Sequence, residues 1–129
     1  MVFQATVMIP VYNAERFIEE TLKSAINQTF KGEYEILVIN DGSTDDTLGK
    51  LSWYESQIPN LRVISQDNLG QPFTRNKLIE KSRGEILLGL DADDLLLPNA
   101  VQLVTDTFKK NPSCGFIYTN QLEIDEGGR

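Results

Sequence analysis

The sequence contains no histidine and a single cysteine, Cys114. Without histidine there is no Ser-His-Asp arrangement, no Cys-His pair and no His-ligated zinc. One thiol forms neither an intrachain disulfide nor a multi-thiolate metal site, which leaves Cys114 as a small core residue. Any metal held here must use oxygen ligands. Basic residues are the minority, 12 against 19 acidic ones, for a formal net charge of -7. They are scattered along the chain, so the balance opposes nonspecific binding to nucleic acid or anionic lipid. No stretch reaches the roughly 20 apolar residues that span a bilayer. The apolar opening lacks a preceding basic region and a cleavage site, so it does not read as a signal peptide. A cytoplasmic location is expected, with any contact at the inner membrane face left to regions outside this sequence. The glycine-rich phosphate turn of a dinucleotide fold is missing too, since Pro10-Val11-Tyr12-Asn13 stands after the first apolar run, and no Gly-Lys-Ser or Gly-Lys-Thr occurs.

What is present is an alternation of short apolar runs and amphipathic segments. With 129 residues and 40% hydrophobic content, the chain suits one α/β domain with a sizeable core. Ala5 to Ile9 predicts a first strand, with ladder pairing expected to stop at Pro10. Asn13 is placed to cap a helix whose apolar stripe runs through Phe17, Ile18, Leu22, Ala25 and Ile26. Ile36 to Ile39 is a continuous apolar run that predicts a buried parallel strand, followed by a polar turn over 40–44. Ser43 or Thr44 is a candidate cap for a second helix with Asp45 and Asp46 in its first turn and Leu48 and Leu51 on its buried side.

Leu61 to Ser65 reads as a third strand. A polar loop then leads to a third helix that starts near Pro72, turns Leu78 and Ile79 to the sheet, and ends at Ser82-Arg83-Gly84. Ile86, Leu87, Leu88 and Leu90 predict another buried strand. Pro98 opens a fourth helix carrying Ala100, Val101, Leu103, Val104 and Phe108, and Gly115 to Thr119 resembles one more strand. The economical arrangement is a Rossmann-like, mostly parallel sheet flanked by helices, with its binding crevice at the carboxyl ends of the strands.

Three polar loops, Val11 to Ala14, Asn40 to Asp46 and Asp91 to Asp94, would then gather on one edge. Asp41 is suited either to accept a hydrogen bond from a ligand or to cap a turn. Asp91, Asp93 and Asp94 crowd negative charge behind a strand and repel one another unless hydrated or paired with a cation. Asp91 and Asp93 are one residue apart, so they converge only if the loop bends out of strand geometry. Arg75 is suited to a phosphate or base edge, or to ordinary helix support.

Taken together, Ile9-Pro10-Val11-Tyr12-Asn13, Asn40-Asp41-Gly42-Ser43-Thr44-Asp45, Asn68-Leu69-Gly70, Arg75-Asn76 and Leu90-Asp91-Ala92-Asp93-Asp94 resemble the family 2 glycosyltransferases of GT-A fold. Their order and spacing are more specific than any one piece. The resemblance implies that residues 1–129 are the nucleotide-sugar-binding part of a glycosyltransferase domain, truncated at its C-terminus. It implies that Pro10, Val11 and Tyr12 line the nucleotide pocket, that Asp41 recognises the base, and that Arg75 serves base or diphosphate. It also implies that Asp91 lies near ribose and metal, with Asp93 a direct ligand of Mg²⁺ or Mn²⁺. The expected donor is a nucleoside-diphosphate sugar, with uridine as the expected base, for inverting transfer to a saccharide or other hydroxyl acceptor.

Asn40 stands where the family often has a carboxylate, and Leu78 where it often has glycine. The family's catalytic base is expected to be absent from this chain, because Asp125 and Glu126 lie in a terminal turn. Two other readings compete: a nucleotide-binding or interaction module without turnover, and a sugar-nucleotide pyrophosphorylase. The latter would carry a glycine- and basic-rich phosphate loop near Pro10.

Overall fold

The computed structural model describes residues 3–113 and 115. Four strands and four helices alternate: β1 (Phe3–Val11), α1 (Ile18–Ile26), β2 (Tyr34–Asp41), α2 (Thr47–Gln57), β3 (Leu61–Gln66), α3 (Gln71–Lys81), β4 (Gly84–Gly89) and α4 (Ala100–Lys110). Cys114, the remainder of the expected strand over 115–119, and Asp125 and Glu126 lie outside the described residues.

Among the described residues the strands form one sheet in the order β3-β2-β1-β4, and all three pairings are parallel. The chain winds outward from β1 through β2 to β3, then crosses back to place β4 on the other side of β1. Crossovers of one hand that travel in opposite directions lie on opposite faces of the sheet. Accordingly, Ile18, Leu22 and Ala25 of α1, Leu51 of α2 and Val101 of α4 pack on Val7, Ile9, Ile36 and Val38. Leu78 of α3 packs on Leu37 and Ile39 from the other side. The apolar run Ile36 to Ile39 is fully buried because helices cover both faces of β2. Each such aliphatic side chain contributes roughly 1.5–3 kcal/mol by leaving water.

Several local expectations need correction. Strand β1 does not stop at Pro10: the register with β2 continues through Pro10↔Ile39 and Val11↔Asn40. The Met8 carbonyl accepts from the Leu90 amide, so Met8, and with it Pro10 two residues on, directs its backbone polar groups toward β4. The missing N–H of Pro10 therefore falls on the β4 side, where that ladder ends and the acidic loop departs. Asn13 does not cap α1, which begins five residues later, and Phe17 precedes that helix and is part-exposed. Ser43 and Thr44 do not cap α2 either; it begins at Thr47, after Asp45 and Asp46, and Leu48 faces outward. Ile79 and Leu103 are also turned away from the core, while Leu78 is buried as expected. Helix α4 begins at Ala100, two residues beyond Pro98. In β4 only alternate positions are covered, and Leu87 is part-exposed.

Candidate functional site

The reversal of strand order between β1 and β4 opens a crevice at their carboxyl ends, the usual ligand position in such sheets. A cleft of about 530 Å³ lies there, within the range of small-molecule sites. Its walls are Pro10 to Ala14 at the end of β1 and in the loop that follows, Asp41 at the end of β2, Asn68, Gly70, Gln71 and Thr74 around the start of α3, and Asp91 to Asp93 after β4. All three polar loops singled out in the sequence thus meet in one cleft. Val11 is buried in its floor and Tyr12 is about half-exposed at its edge.

Asp41 is 5% exposed and anchors the opposite wall. Its Oδ1 accepts from Gln66 Nε2 at 2.9 Å and the Leu69 amide at 2.8 Å, and its Oδ2 accepts from the Gly70 amide at 3.0 Å. Burial alone would raise this carboxyl, but hydrogen bonds from Gln66, Leu69, Gly70 and Thr74 outweigh it and hold it below the ordinary carboxylate range. A carboxylate has about four acceptor positions, so Oδ2 keeps capacity for another donor from the cleft. Gly42 adopts a positive φ of 73°, and a Cβ there would come within 2.7 Å of the Asn68 nitrogen. Only glycine lets the two loops approach so closely. Asn40, at the position where the family often has a carboxylate, is buried and bridges the Ser43 amide and the Ser65 hydroxyl.

The acidic loop bends as the convergence of Asp91 and Asp93 requires. The Asp94 amide donates to the Asp91 carbonyl at 3.0 Å, closing a turn over Ala92-Asp93. Helix α1 fixes this turn from below: the buried Thr21 hydroxyl donates to the Ala92 carbonyl at 2.8 Å. Ser24 of the same helix and Gln28 just beyond its end hold the segment that follows, through Leu96, Leu97 and Val101. The Asp94 carboxyl is pushed up by burial and then by the charges of Asp93 and Asp91. Arg75 is not in the cleft wall; it stands at the rim, its Nη2 3.2 Å from Asp91 Oδ1, and both side chains are about half-exposed.

Among the described residues no group of three His, Cys, Asp or Glu side chains is assembled to enclose a metal ion. The donor set present, two solvent-facing carboxylates on one turn beside a third that they repel, fits a hard divalent ion whose other ligands come from phosphate and water. It does not fit a closed protein cage.

Sequence reasoning missed Gln66 and Thr74, which buttress Asp41, and Thr21, which buttresses the acidic turn. The one signal for Gln66 was its place at the end of β3, where the register sets it opposite Asp41.

Known proteins are similar to this chain in sequence and in fold. The sequence profile described as glycosyl transferase family 2 matches residues 6–129. A chondroitin synthase of Escherichia coli is 39% identical over 123 residues, which are 95% of this chain and 18% of the relative. A poly(ribitol-phosphate) beta-glucosyltransferase of Bacillus spizizenii is 39% identical over 111 residues, 84% of this chain and 18% of that protein. Among solved structures, S. aureus TarS in complex with UDP superposes with a TM-score of 0.78 at 31% identity, covering 85% of this chain and 33% of that one. The mannosyltransferase PcManGT of Pyrobaculum calidifontis, in complex with GDP-Man and Mn²⁺, gives 0.71 at 26% identity, covering 83% and 32%. The chain thus spans about a fifth of the length of these curated relatives and about a third of these solved chains. With the parallel sheet, the cleft at its switch point and the profile match over nearly all its residues, the chain belongs to glycosyl transferase family 2 and has the GT-A fold.

Proposed function

We propose that this chain binds the donor of an inverting sugar transfer, a nucleoside-diphosphate sugar, in the cleft between the β1 and β4 loops. The observation that carries the reading is the meeting of the Pro10–Asn13, Asp41 and Asp91–Asp93 segments in one cleft of about 530 Å³. The UDP complex of TarS and the GDP-Man complex of PcManGT support a nucleotide donor, and uridine is the base we favour.

In this reading Pro10 and Val11 form the floor, the Tyr12 ring packs on the base, and the remaining acceptor position of Asp41 takes a base N–H. Arg75 leaves Asp91 for the diphosphate. Asp91 serves ribose and metal, and Asp93 ligates Mg²⁺ or Mn²⁺, whose charge would stabilise the diphosphate as it departs. The acceptor hydroxyl oxygen bonds to the anomeric carbon as the carbon–phosphate oxygen bond breaks, and that electron pair leaves with the nucleoside diphosphate. The acceptor proton passes to a base that is not assigned among the described residues. The chondroitin synthase relative favours a saccharide acceptor and a role in polysaccharide synthesis. Among the described residues no helix is long and apolar enough to cross a membrane, and we place the reaction at the cytoplasmic side.

The test is calorimetric titration of UDP, GDP and CDP into wild-type protein and Asp41→Ala with Mn²⁺ present. Wild type should prefer UDP and the variant should lose affinity and base preference together. Equal binding by both proteins would remove Asp41 from base recognition.

A further inference from the structure

We infer that Asn13 and Asp45 are positioning residues that set the Tyr12 ring for the nucleotide, an inference that rests on the donor-site reading above. Tyr12 is 51% exposed, and its place is set by the backbone on either side of it. On one side Val11 is held in the β1 ladder. On the other, Asn13 adopts a φ of 48°, a left-handed conformation that asparagine tolerates better than most residues.

What holds Asn13 there is a stitch between the loops after β1 and β2. Three consecutive amides donate to side chains of the second loop and the start of α2. The Asn13 amide donates to Ser43 Oγ at 3.0 Å, the Ala14 amide to Thr47 Oγ1 at 2.9 Å, and the Glu15 amide to Asp45 Oδ2 at 3.3 Å. In return the Thr44 amide donates to Asn13 Oδ1 at 2.7 Å, and Asn13 Nδ2 donates to Thr44 Oγ1 at 3.2 Å. Asp45 braces the acceptor Thr47 by receiving both its amide and its hydroxyl. Both polar atoms of the Asn13 side chain bond to Thr44, and these bonds tie the backbone that carries Tyr12 to the second loop. The stitch bridges about thirty residues of sequence, and it converts the φ of Asn13 from a local choice into a consequence of how the two loops meet.

The experiment is a double-mutant cycle on UDP affinity, with Mn²⁺ present, using wild type, Asn13→Gly, Tyr12→Ala and the double variant. Glycine keeps the positive φ at little cost while deleting the side-chain bonds. Asn13→Gly should weaken UDP roughly tenfold, the scale of one lost pair of hydrogen bonds. In the Tyr12→Ala background the same change should cost under about twofold, because residues that act as one unit are non-additive. Asp45→Asn, read in the same cycle, attacks the stitch from its other side and should couple to Tyr12 in the same way. Thermal melting of each variant separates folding from positioning. Additive losses in folded variants, or unchanged UDP affinity in Asn13→Gly, would overturn this inference while leaving the donor site standing. Failure of wild type to bind UDP or any other nucleoside diphosphate would overturn the donor-site reading and this inference with it.

Discussion

Arg75 Nη2 lies 3.2 Å from Asp91 Oδ1 at the rim of the cleft, so the cation assigned to the diphosphate is paired with the carboxylate assigned to the metal. Both side chains are about half-exposed, and such pairs contribute only about 0–1 kcal/mol. The pair is therefore inexpensive to open when a diphosphate and a divalent ion offer each partner a stronger contact.

Arg75→Gln should consequently have opposite effects on the two ligands. Affinity for UDP with Mn²⁺ should fall roughly tenfold, as expected for a lost charge-assisted phosphate contact. Mn²⁺ binding without nucleotide should strengthen, because Asp91 no longer has a competing cation. Manganese titration of both proteins checks this, and identical Mn²⁺ affinity would show that Arg75 and the metal do not compete.

The buried Asp41 carboxylate should make a pH-dependent contribution to stability. Its folded-state pKa lies below the ordinary value, near 3.9 in an unfolded chain. Its stabilisation is therefore fully present above about pH 4 and is lost as the pH falls through the folded value. Asp41→Asn should cost about 2 kcal/mol at pH 7, the scale of hydrogen bonds to a charged group. The difference from wild type should shrink below about pH 4. Denaturant melts at pH 7 and pH 3 check it, and an unchanged difference would mean that the Asp41 anion is not what holds Leu69 and Gly70.

The supporting role of α1 predicts a more distant effect. Thr21→Val removes the hydroxyl from the part-buried Ala92 carbonyl with little change in shape, and a lost hydrogen bond of this kind costs roughly 0.5–1.5 kcal/mol. It should lower the melting temperature and also weaken Mn²⁺-dependent UDP binding several-fold by loosening the Asp91–Asp94 turn. Lower stability with unchanged UDP affinity would show that the turn holds its shape unaided.

The sequence revealed most about features carried by contiguous patterns. Ile36 to Ile39 announced a strand covered on both faces, and the Asp91 to Asp94 cluster announced a charged turn at a strand end; both are present. The helix starts were harder to read because Asn13, Ser43 and Thr44 are good local caps that the fold uses elsewhere. Their hydrogen bonds join loops about thirty residues apart, and no local window carries that information. Gln66 was hard to read for a related reason, since its contact with Asp41 follows from strand register. Thr21 looked like one more residue of an amphipathic helix, yet its partner lies 71 residues away.

The most direct test of metal-assisted donor binding is calorimetric titration of UDP into wild type and Asp93→Asn, each with Mn²⁺ and again with excess chelator. Wild type should lose roughly tenfold or more in affinity when the metal is removed, about 1.4 kcal/mol. Asp93→Asn should bind UDP weakly and almost equally in both conditions, because a neutral amide is a poor substitute for a carboxylate ligand. UDP binding by wild type that is indifferent to chelator and to the Asp93→Asn change would contradict the account.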